Sequence, residues 1–328
     1  MPLISVIMPV YNGEKTIRET IESVFNQTFP DWELIVINDG SQDATLEILN
    51  SIQDPRLRVF SYPNAGQATS RNRGISQACG EYISFIDADD LWTPDKLEAQ
   101  LQVLQANPQA AVAYSWTKCI DEVGQVSRRG SHISVTGDVY KNLLVVNFLE
   151  NGSNPLIRRQ ALNEVGSFDE SLTPAEDWDL WLRLAARYHF EVVSSPQILY
   201  RVSVKSATAN VWRLEAACLE VIERACTQAP ESVEHLKKYS LGNTYKYLTY
   251  KAIEGPPERK KGLVAVRFLW QAVRNDPALL RTKVLFKVLL KIAAITILPP
   301  QQAQSFFTSF KKLTNTTTML GYLQLDPF

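Results

Sequence analysis

Short apolar runs alternate with amphipathic stretches through the first 110 residues. The runs Leu3 to Pro9, Glu33 to Asn38 and Ile83 to Ile86 are rich in β-branched residues and have the length of buried strands. Between them, Glu14 to Gln27 and Asp43 to Ile52 carry apolar side chains at helical spacing. Strands that alternate with helices at this rhythm predict an α/β fold with a parallel, doubly wound sheet.

The run Ile83 to Ile86 ends abruptly in three carboxylates, Asp87, Asp89 and Asp90. Like charges this close are unfavourable unless water, a cation or hydrogen-bond donors take up their field. Because α/β sheets hold ligands at the ends of their buried strands, we expect a hard divalent cation that carries a phosphorylated ligand. The alternative is an acidic turn in which Asp90 or Asp95 caps the following helix.

The predicted sheet brings Tyr11, Asp39 and Asp87 to one edge, which would form a nucleotide-sized site. The segment after the first strand, Tyr11 to Glu14, does not match GxGxxG, so a dinucleotide-binding oxidoreductase is disfavoured. No GxxxxGK[ST] sequence occurs, which excludes a P-loop protein. The absence of a GGxGTR-like loop argues against a nucleotidyltransferase on a related fold.

Two further acids, Glu176 and Asp177, open a helix that we predict to run to Tyr188. Acids are common in the first turn of a helix because they meet the positive end of its dipole. The alternative is catalytic: one of the two acids, held near the metal site, acts as a general base. The local sequence leaves both interpretations open.

Five motifs, taken in order and spacing, resemble the inverting, nucleotide-sugar-dependent glycosyltransferases of family 2, which have the GT-A fold. They are PVYN at 9–12, NDGS at 38–41, SRNRG at 70–74, DADD at 87–90 and EDWDLWLRL at 176–184. The resemblance covers roughly residues 3–206 and implies a GT-A catalytic domain at 1–205. It implies transfer of a sugar from a nucleotide-sugar donor to a hydroxyl of a glycan or lipid-linked glycan in cell-surface polysaccharide synthesis. The retained motifs disfavour the alternative, a non-catalytic nucleotide-sugar or glycan-binding protein on the same fold.

The resemblance also implies a nucleotide site. Pro9 and Tyr11 would border the base, and Asp39 would accept a hydrogen bond from it, which favours a UDP-sugar because uracil presents an imide N–H. Arg71 matches an arginine that helps to hold the nucleotide. The alternative for Arg71, and more so for Arg73, is a place on a solvated helix face.

A metal site follows from the same resemblance. Asp89 would ligate Mg2+ or Mn2+ bridging the two phosphates, and Asp87 would meet the ribose or a metal-bound water. Such a cation stabilises the departing nucleoside diphosphate. Asp90 is expected to be a helix cap or a supporting group.

The family assigns the general base to the aspartate of the ED pair, here Asp177, with Glu176 as the second choice. A single displacement would invert the anomeric configuration without a covalent intermediate. Many relatives have a histidine in a YRxH strand that follows, whereas this chain has Ser203 there, so Arg201 would carry more of the phosphate contact. His132 and His189 do not match that position and are interpreted as structural or surface residues.

Charge and cysteine content set further limits. Residues 258–325 contain eleven Lys and Arg against two acids, whereas the formal net charge of the chain is -1. The acidic front therefore disfavours nucleic-acid binding, and the basic tail predicts contact with anionic surfaces. Four scattered cysteines suggest neither a zinc site nor a disulfide framework, and no signal peptide is recognised. A reducing cytoplasm is expected.

Beyond Ser206 the pattern turns helical and predicts an α-helical C-terminal domain at 206–328. Its segment Ala278 to Leu298 is largely apolar, with Lys283, Lys287 and Lys291 on one face. Three lysines in mid-helix make membrane spanning costly. We expect either a helix in the membrane interface, with residues 278–328 on the inner face of the cell membrane, or a packed helix with a solvated lysine stripe.

Overall fold

A computed structural model of the chain describes residues 1–202, 210–228 and 231–323. The chain divides into two compact units. The first comprises Met1–Tyr140 and Asn147–Ser203, and the second comprises Lys141–Val146 and Val204–Phe328. Ser203, which stands where many relatives have a histidine, lies outside the described residues.

The first unit is built on one mixed sheet. Its strands are β1 (Ile4–Val10), β2 (Trp32–Asn38), β3 (Leu57–Ser61), β4 (Tyr82–Phe85), β5 (Leu91–Trp92), β6 (Ala110–Ile120), β7 (Val126–Arg129), β8 (Leu156–Arg158) and β9 (His189–Arg201). The strand order is β3-β2-β1-β4-β8-β6-β9-β5, with β7 paired to β6. Strands β3, β2, β1 and β4 are parallel, as are β6 and β9, whereas β8 runs antiparallel between β4 and β6.

Helices alternate with the strands of this unit, as the pattern predicts. They are α1 (Ile17–Phe25), α2 (Thr45–Asn50), α3 (Gln67–Gln77), α4 (Lys96–Ala106), α6 (Arg159–Val165) and α7 (Glu176–Ala185). Helix α5 (Tyr140–Val145) starts at the last residue of the first segment and otherwise belongs to the second unit. Strands β1 and β2 are buried along their whole length. Their continuous apolar runs suit strands that are covered on both faces.

The α/β class and the mostly parallel arrangement of the predicted sheet are confirmed, but the region after α4 differs from expectation. Alternating short strands and glycine turns were expected there, whereas β6 is an 11-residue strand that pairs with β7, β8 and β9. Long-range pairing decides this, because β8 and β9 come from distant parts of the chain and bury a sequence with little periodicity of its own.

The loops after β1 and β2 are fastened to each other. The backbone N–H of Asn12 donates to the Ser41 hydroxyl at 2.9 Å, and the Asn12 side-chain oxygen accepts from the N–H of Gln42 at 2.8 Å. Asn12 has a φ of 53°, in the left-handed region that Asn tolerates better than most residues. The PVYN and NDGS motifs therefore form one surface at the carboxyl ends of their strands.

The second unit is helical over its described residues. It contains α8 (Val211–Gln228), α9 (Lys237–Ala252), α10 (Arg259–Asn275), α11 (Lys283–Ile297), α12 (Pro300–Ser309) and α13 (Lys311–Thr314), with 3-10 helices at Glu231–Leu236, Pro277–Arg281 and Thr317–Tyr322. The predicted helix from Ala278 to Leu298 is thus two elements. None of the helices in the described ranges is long and apolar enough to cross a bilayer.

Gly74 tests the close packing of α3 on the sheet. A Cβ at this position would lie 2.3 Å from Cγ2 of the buried Ile7 in β1. Gly to Ala in a helix ordinarily stabilises by about 1 kcal/mol. We expect Gly74→Ala to destabilise instead, by about 1–3 kcal/mol, because the core must shift to admit the methyl group. Urea denaturation measures this, and the exposed Ser76→Ala on the same helix should leave the midpoint unchanged or raise it slightly. A stabilised Gly74→Ala would contradict the packing described here.

Candidate active site

The carboxyl ends of β1, β2 and β4 are neighbours because these strands are parallel. They place Tyr11, Asp39 and Asp87 along one edge of the sheet, as predicted. Tyr11 is 50% exposed and presents its ring to solvent. Pro9 is buried within β1, where it pairs with Ile37, so it offers little surface to a ligand.

A buried arginine joins the two acidic motifs. The Arg71 side chain is 2% exposed and donates from Nη2 to Asp87 Oδ1 at 2.7 Å and from Nη1 to Glu176 Oε1 at 2.9 Å. Its guanidinium also lies 5.2 Å from the centre of the Phe168 ring. Burial by itself would lower the pKa of Arg71, but the charges of Asp87 and Glu176 outweigh burial and raise the pKa above its usual value. The solvated-face alternative for Arg71 is wrong, and α3 holds the ED helix against the end of β4.

The loop before β8 makes room for this arginine, and sequence reasoning found no signal there. A Cβ on Gly152 would lie 2.4 Å from Arg71 Nη2, so a larger residue would displace the guanidinium. The adjacent Ser153 hydroxyl accepts from the N–H of Asp87 at 2.9 Å and donates to Asp90 Oδ2 at 2.5 Å. Gly, Ser, Asn and Pro concentrated at 151–155 indicate a turn. Only the fold shows that this turn faces the acidic cluster.

Asp87 and Asp89 are held close together at the strand end. Gln67 and Arg71 both donate to Oδ1 of Asp87. No other residue in the described ranges donates to the carboxylate of Asp89. Burial and the neighbouring charge of Asp87 raise the pKa of Asp89 to about 6. A divalent cation would relieve this repulsion.

Asp90 has a supporting role and caps no helix. It is fully buried and accepts from Ser153 and from the backbone N–H of Arg201 at 2.9 Å. Burial and the charges of Asp89 and Asp87 raise its pKa well above the usual range. The side chain of Asp95, at the N-cap of α4, makes no capping bond either. The acidic-turn alternative, in which Asp90 or Asp95 caps this helix, is therefore wrong.

Arg201 is tied to the protein itself. Its Nε donates to the Asp89 carbonyl at 2.8 Å, its Nη1 to the carbonyls of Asp121 and Glu122, and its Nη2 to Glu19 at 2.9 Å. A guanidinium has five N–H groups, and four are used here. The side chain is 4% exposed. The structure therefore gives Arg201 a positioning role, and its predicted phosphate contact depends on a single remaining N–H.

Glu176 and Asp177 differ although they are adjacent in α7. The Glu176 side chain is buried in the ion pair with Arg71, whereas Asp177 is half-buried and its Oδ1 accepts from the N–H of Trp178 at 2.6 Å. Burial and the charge of Glu176 raise the pKa of Asp177 to about 7, against the opposing effect of Arg71. Ala175, just before the helix, has a φ of 96°, a strained conformation of the kind found at functional sites. A pKa of about 7 suits Asp177 to proton transfer near neutral pH.

Asp39 organises the loop after β3. Its Oδ1 accepts from the N–H of Ala65 at 2.9 Å and from Arg73 at 3.2 Å, and its Oδ2 accepts from the N–H of Gly66 at 2.8 Å. Arg73 is thus an ion-pair partner, and its solvated-face alternative is wrong. A carboxylate offers about four acceptor positions, and the described residues use two on Oδ1 and one on Oδ2.

The two histidines discussed above lie elsewhere. His132 stacks on Trp116 with ring centres 4.5 Å apart, and burial and nearby cations lower its pKa. His189 is exposed at the start of β9.

The acidic strand end fits a divalent cation that is shared with a ligand. Across residues 1–202, 210–228 and 231–323, no group of three or more His, Cys, Asp or Glu side chains is arranged to hold a metal ion. Asp87 and Asp89 supply two carboxylates, and burial together with the charge of Asp87 raises the pKa of Asp89. Mg2+ sites in phosphate-binding proteins use one or two carboxylates and complete their shell with phosphate oxygens and water.

Solved structures share this fold across both units. The mannosyltransferase PcManGT from Pyrobaculum calidifontis, in complex with GDP-Man and Mn2+, aligns with a TM-score of 0.55 at 20% identity, covering 95% of this chain and 88% of that one. S. aureus TarS 1-349 in complex with UDP-GlcNAc aligns with a TM-score of 0.53 at 19% identity, covering 97% and 90%. At these identities the likeness shows the fold, a GT-A domain with a helical C-terminal region.

Sequence comparison is more specific. The putative teichuronic acid biosynthesis glycosyltransferase TuaG of Bacillus subtilis is 40% identical over 119 residues, which are 35% of this chain and 46% of that protein. The matched part of this chain spans about a third of the length of other curated relatives. The model of the glycosyltransferase-like family 2 matches residues 5–252, about three-quarters of the chain. The chain therefore belongs to the glycosyltransferase-like family 2.

Proposed function

We propose that this protein is an inverting, metal-dependent glycosyltransferase that moves a sugar from a nucleotide-sugar donor to an acceptor hydroxyl. The observation that most strongly supports this proposal is the two ion pairs that link Glu176 to Arg71 and Arg71 to Asp87. It joins the start of α7, where Asp177 lies, to the carboxyl end of β4, where Asp87 and Asp89 lie. The proposed donor-binding end and the proposed base would thereby be held together by one ion-paired group.

The donor side uses the edge of the parallel strands. Tyr11 offers a ring face to the base, and Asp39 offers one acceptor position on Oδ2, which suits the imide N–H of uracil and makes UDP our proposed nucleotide. Asp87 and Asp89 would hold Mg2+ or Mn2+ against the diphosphate, and that cation would neutralise charge on the leaving group. Arg71 would act by orienting Asp87, since its Nη1 and Nη2 groups both donate to protein carboxylates.

On the acceptor side, Asp177 removes the proton of the attacking hydroxyl. That oxygen bonds to the anomeric carbon as the carbon–phosphate oxygen bond breaks on the opposite face, so the configuration inverts. Glu176 is engaged by Arg71 and serves to position the helix. Its neighbouring charge helps to keep the pKa of Asp177 near neutrality.

The acceptor we propose is a hydroxyl of a glycan or lipid-linked glycan in cell-surface polysaccharide synthesis. The similarity to TuaG supports the polysaccharide role. A lipid-linked acceptor would place the enzyme on the inner face of the cell membrane, as a peripheral protein.

Nucleotide titration tests the donor site. Calorimetric titration of UDP, GDP and dTDP in Mn2+ and again in EDTA should show binding of UDP that depends on the metal. Asp89→Asn, which removes one ligand charge without changing shape, should lose most of the Mn2+-dependent gain in affinity. Asp54→Asn, which alters a partly buried carboxylate paired with Arg56 outside the site, is the matched control. Equal UDP affinity in Mn2+ and EDTA would refute the metal role, and preferential binding of GDP would refute the proposed base.

The two adjacent acids make separable predictions. Asp177→Asn should retain UDP binding and lower transfer by a factor of about 10²–10⁴, the usual contribution of a general base. Glu176→Gln should weaken the hold on Arg71 and reduce stability as well as activity, because a buried charge loses its partner. Single-turnover transfer and thermal unfolding of both variants distinguish these effects. If Glu176→Gln alone abolishes transfer while its unfolding is unchanged, Glu176 is the base.

The raised pKa of Asp177 predicts a pH dependence. A general base works only when deprotonated, so kcat/KM should fall about tenfold for each pH unit below its pKa of about 7 and level off above it. The pH profile of kcat/KM for the wild type, with donor saturation checked at each point, measures this. A flat profile between pH 5 and pH 8 would contradict Asp177 as the base.

A further inference from the structure

Two adjacent helices of the second unit, α10 and α11, expose large apolar side chains in regular stripes. On α10 these are Leu263, Val266 and Trp270, spaced three and seven residues from the first and therefore on one helix face. On α11 they are Phe286, Leu289 and Ile297. Trp270 and Phe286 are 67% and 65% exposed. Exposed apolar stripes on neighbouring helices are candidates for an interaction surface.

The two helices pack closely side by side. A Cβ on Gly262, near the start of α10, would lie 2.8 Å from Cγ2 of both Ile295 and Thr296, near the end of α11. The start of one helix therefore meets the end of the other, and the pair is antiparallel. The opposite faces are used for packing, through Ala265, Phe268 and Ala272 on α10 and Val284, Val288 and Ile292 on α11.

Basic residues surround the apolar stripes. Arg259, Lys260 and Arg274 on α10, Arg281 between the helices and Lys283 on α11 are exposed, whereas the exposed Arg267 is paired with Glu215 of α8. Lys291 does not belong to this set, because it lies 5.5 Å from the Phe307 ring and burial lowers its pKa. The predicted stripe of three solvated lysines is therefore wrong in part, because Lys291 is packed and not solvated. The outward face of α11 is formed by apolar side chains, and Lys283 lies beside it.

Neither helix contains an acid between its first and last residue. A second copy of this chain placed on the same face would bring basic residues against basic residues, which is unfavourable. An anionic lipid surface would match both features of this face. Its phosphates would pair with the arginines and lysines, and the boundary of its acyl chains would receive the exposed apolar side chains. Tryptophan, here the exposed Trp270, is also enriched at the interface between membrane and water.

We propose that the exposed face of α10 and α11 is an interfacial binding surface for anionic phospholipid. Trp270 and Phe286 insert at the acyl boundary, and the arginines and lysines beside them contact lipid phosphates. The proposal extends the peripheral location given above by naming the surface, and it does not depend on the transfer reaction. Lipid binding is measured without a donor, so its failure would leave the proposed chemistry standing.

Vesicle flotation of the full chain tests this surface. The protein should float with vesicles of equal parts phosphatidylglycerol and phosphatidylcholine and stay behind with phosphatidylcholine alone, and added salt should weaken the binding. Trp270→Glu combined with Phe286→Glu should reduce the bound fraction by about tenfold or more, since charges at the acyl boundary are costly. Trp212→Glu is the matched control, because this tryptophan is 47% exposed on α8, outside the two helices, and its variant should bind as the wild type does.

Because all three side chains are exposed, the variants should fold as the wild type does, and circular dichroism of each variant checks this. A wild type that does not float with the anionic vesicles overturns the proposal. Equal flotation of the double variant and the wild type overturns the assignment to this face. A wild-type dimer in light scattering that becomes monomeric in the double variant, without vesicle binding by either, shows that the face joins two copies instead.

Discussion

The structure of the candidate site depends on one buried arginine. Arg71 pairs with Asp87 at the end of β4 and with Glu176 at the start of α7, which are 89 residues apart in the chain. Removing one partner from such a buried pair costs about 3–5 kcal/mol, because the remaining charge stays in a poorly solvated place. Asp87 and Glu176 therefore help to hold each other in place through the arginine that they share. Gly152 and Phe168 shape the space in which the guanidinium lies.

A second arginine holds the same acidic segment from its other side. Arg201, at the end of β9, binds the Asp89 carbonyl, and its own N–H donates to Asp90. The two arginines, Ser153 and Gln67 supply the hydrogen bonds to the carboxylates of Asp87 and Asp90. Asp89 and Asp177 have raised pKa values, and among the residues that the structure describes neither forms an ion pair with an arginine or lysine. In the proposed reaction these two carboxylates meet the metal and the acceptor proton, so the acids with raised pKa values are those that the chemistry would use.

The second unit has a different balance of forces. Its helices bury small and apolar residues against each other, as Gly262 does against α11, and they leave aromatic and aliphatic side chains exposed. In a helix that only packs on its own domain, the exposed face is ordinarily polar. The combination of outward apolar residues, surrounding arginines and lysines, and the absence of acids within α10 and α11 is why we assign this face to an anionic lipid surface.

The sequence by itself determined the local elements and the family. Apolar runs and helical spacing predict β1, β2, β4 and their helices closely, because each of these is buried on regular faces whose period shows in the residues. The motifs also identify Asp87, Asp89, Glu176 and Asp177 as a group. Tertiary structure decided what each side chain does. The partners of Arg71, the acceptors bound by Arg201 and the loop held by Asp39 come from distant segments of the chain. Pairing across such distances leaves no periodic pattern in the sequence. The same holds for β6, whose long strand depends on β8 and β9, and for α11, whose outward face follows from where α10 packs.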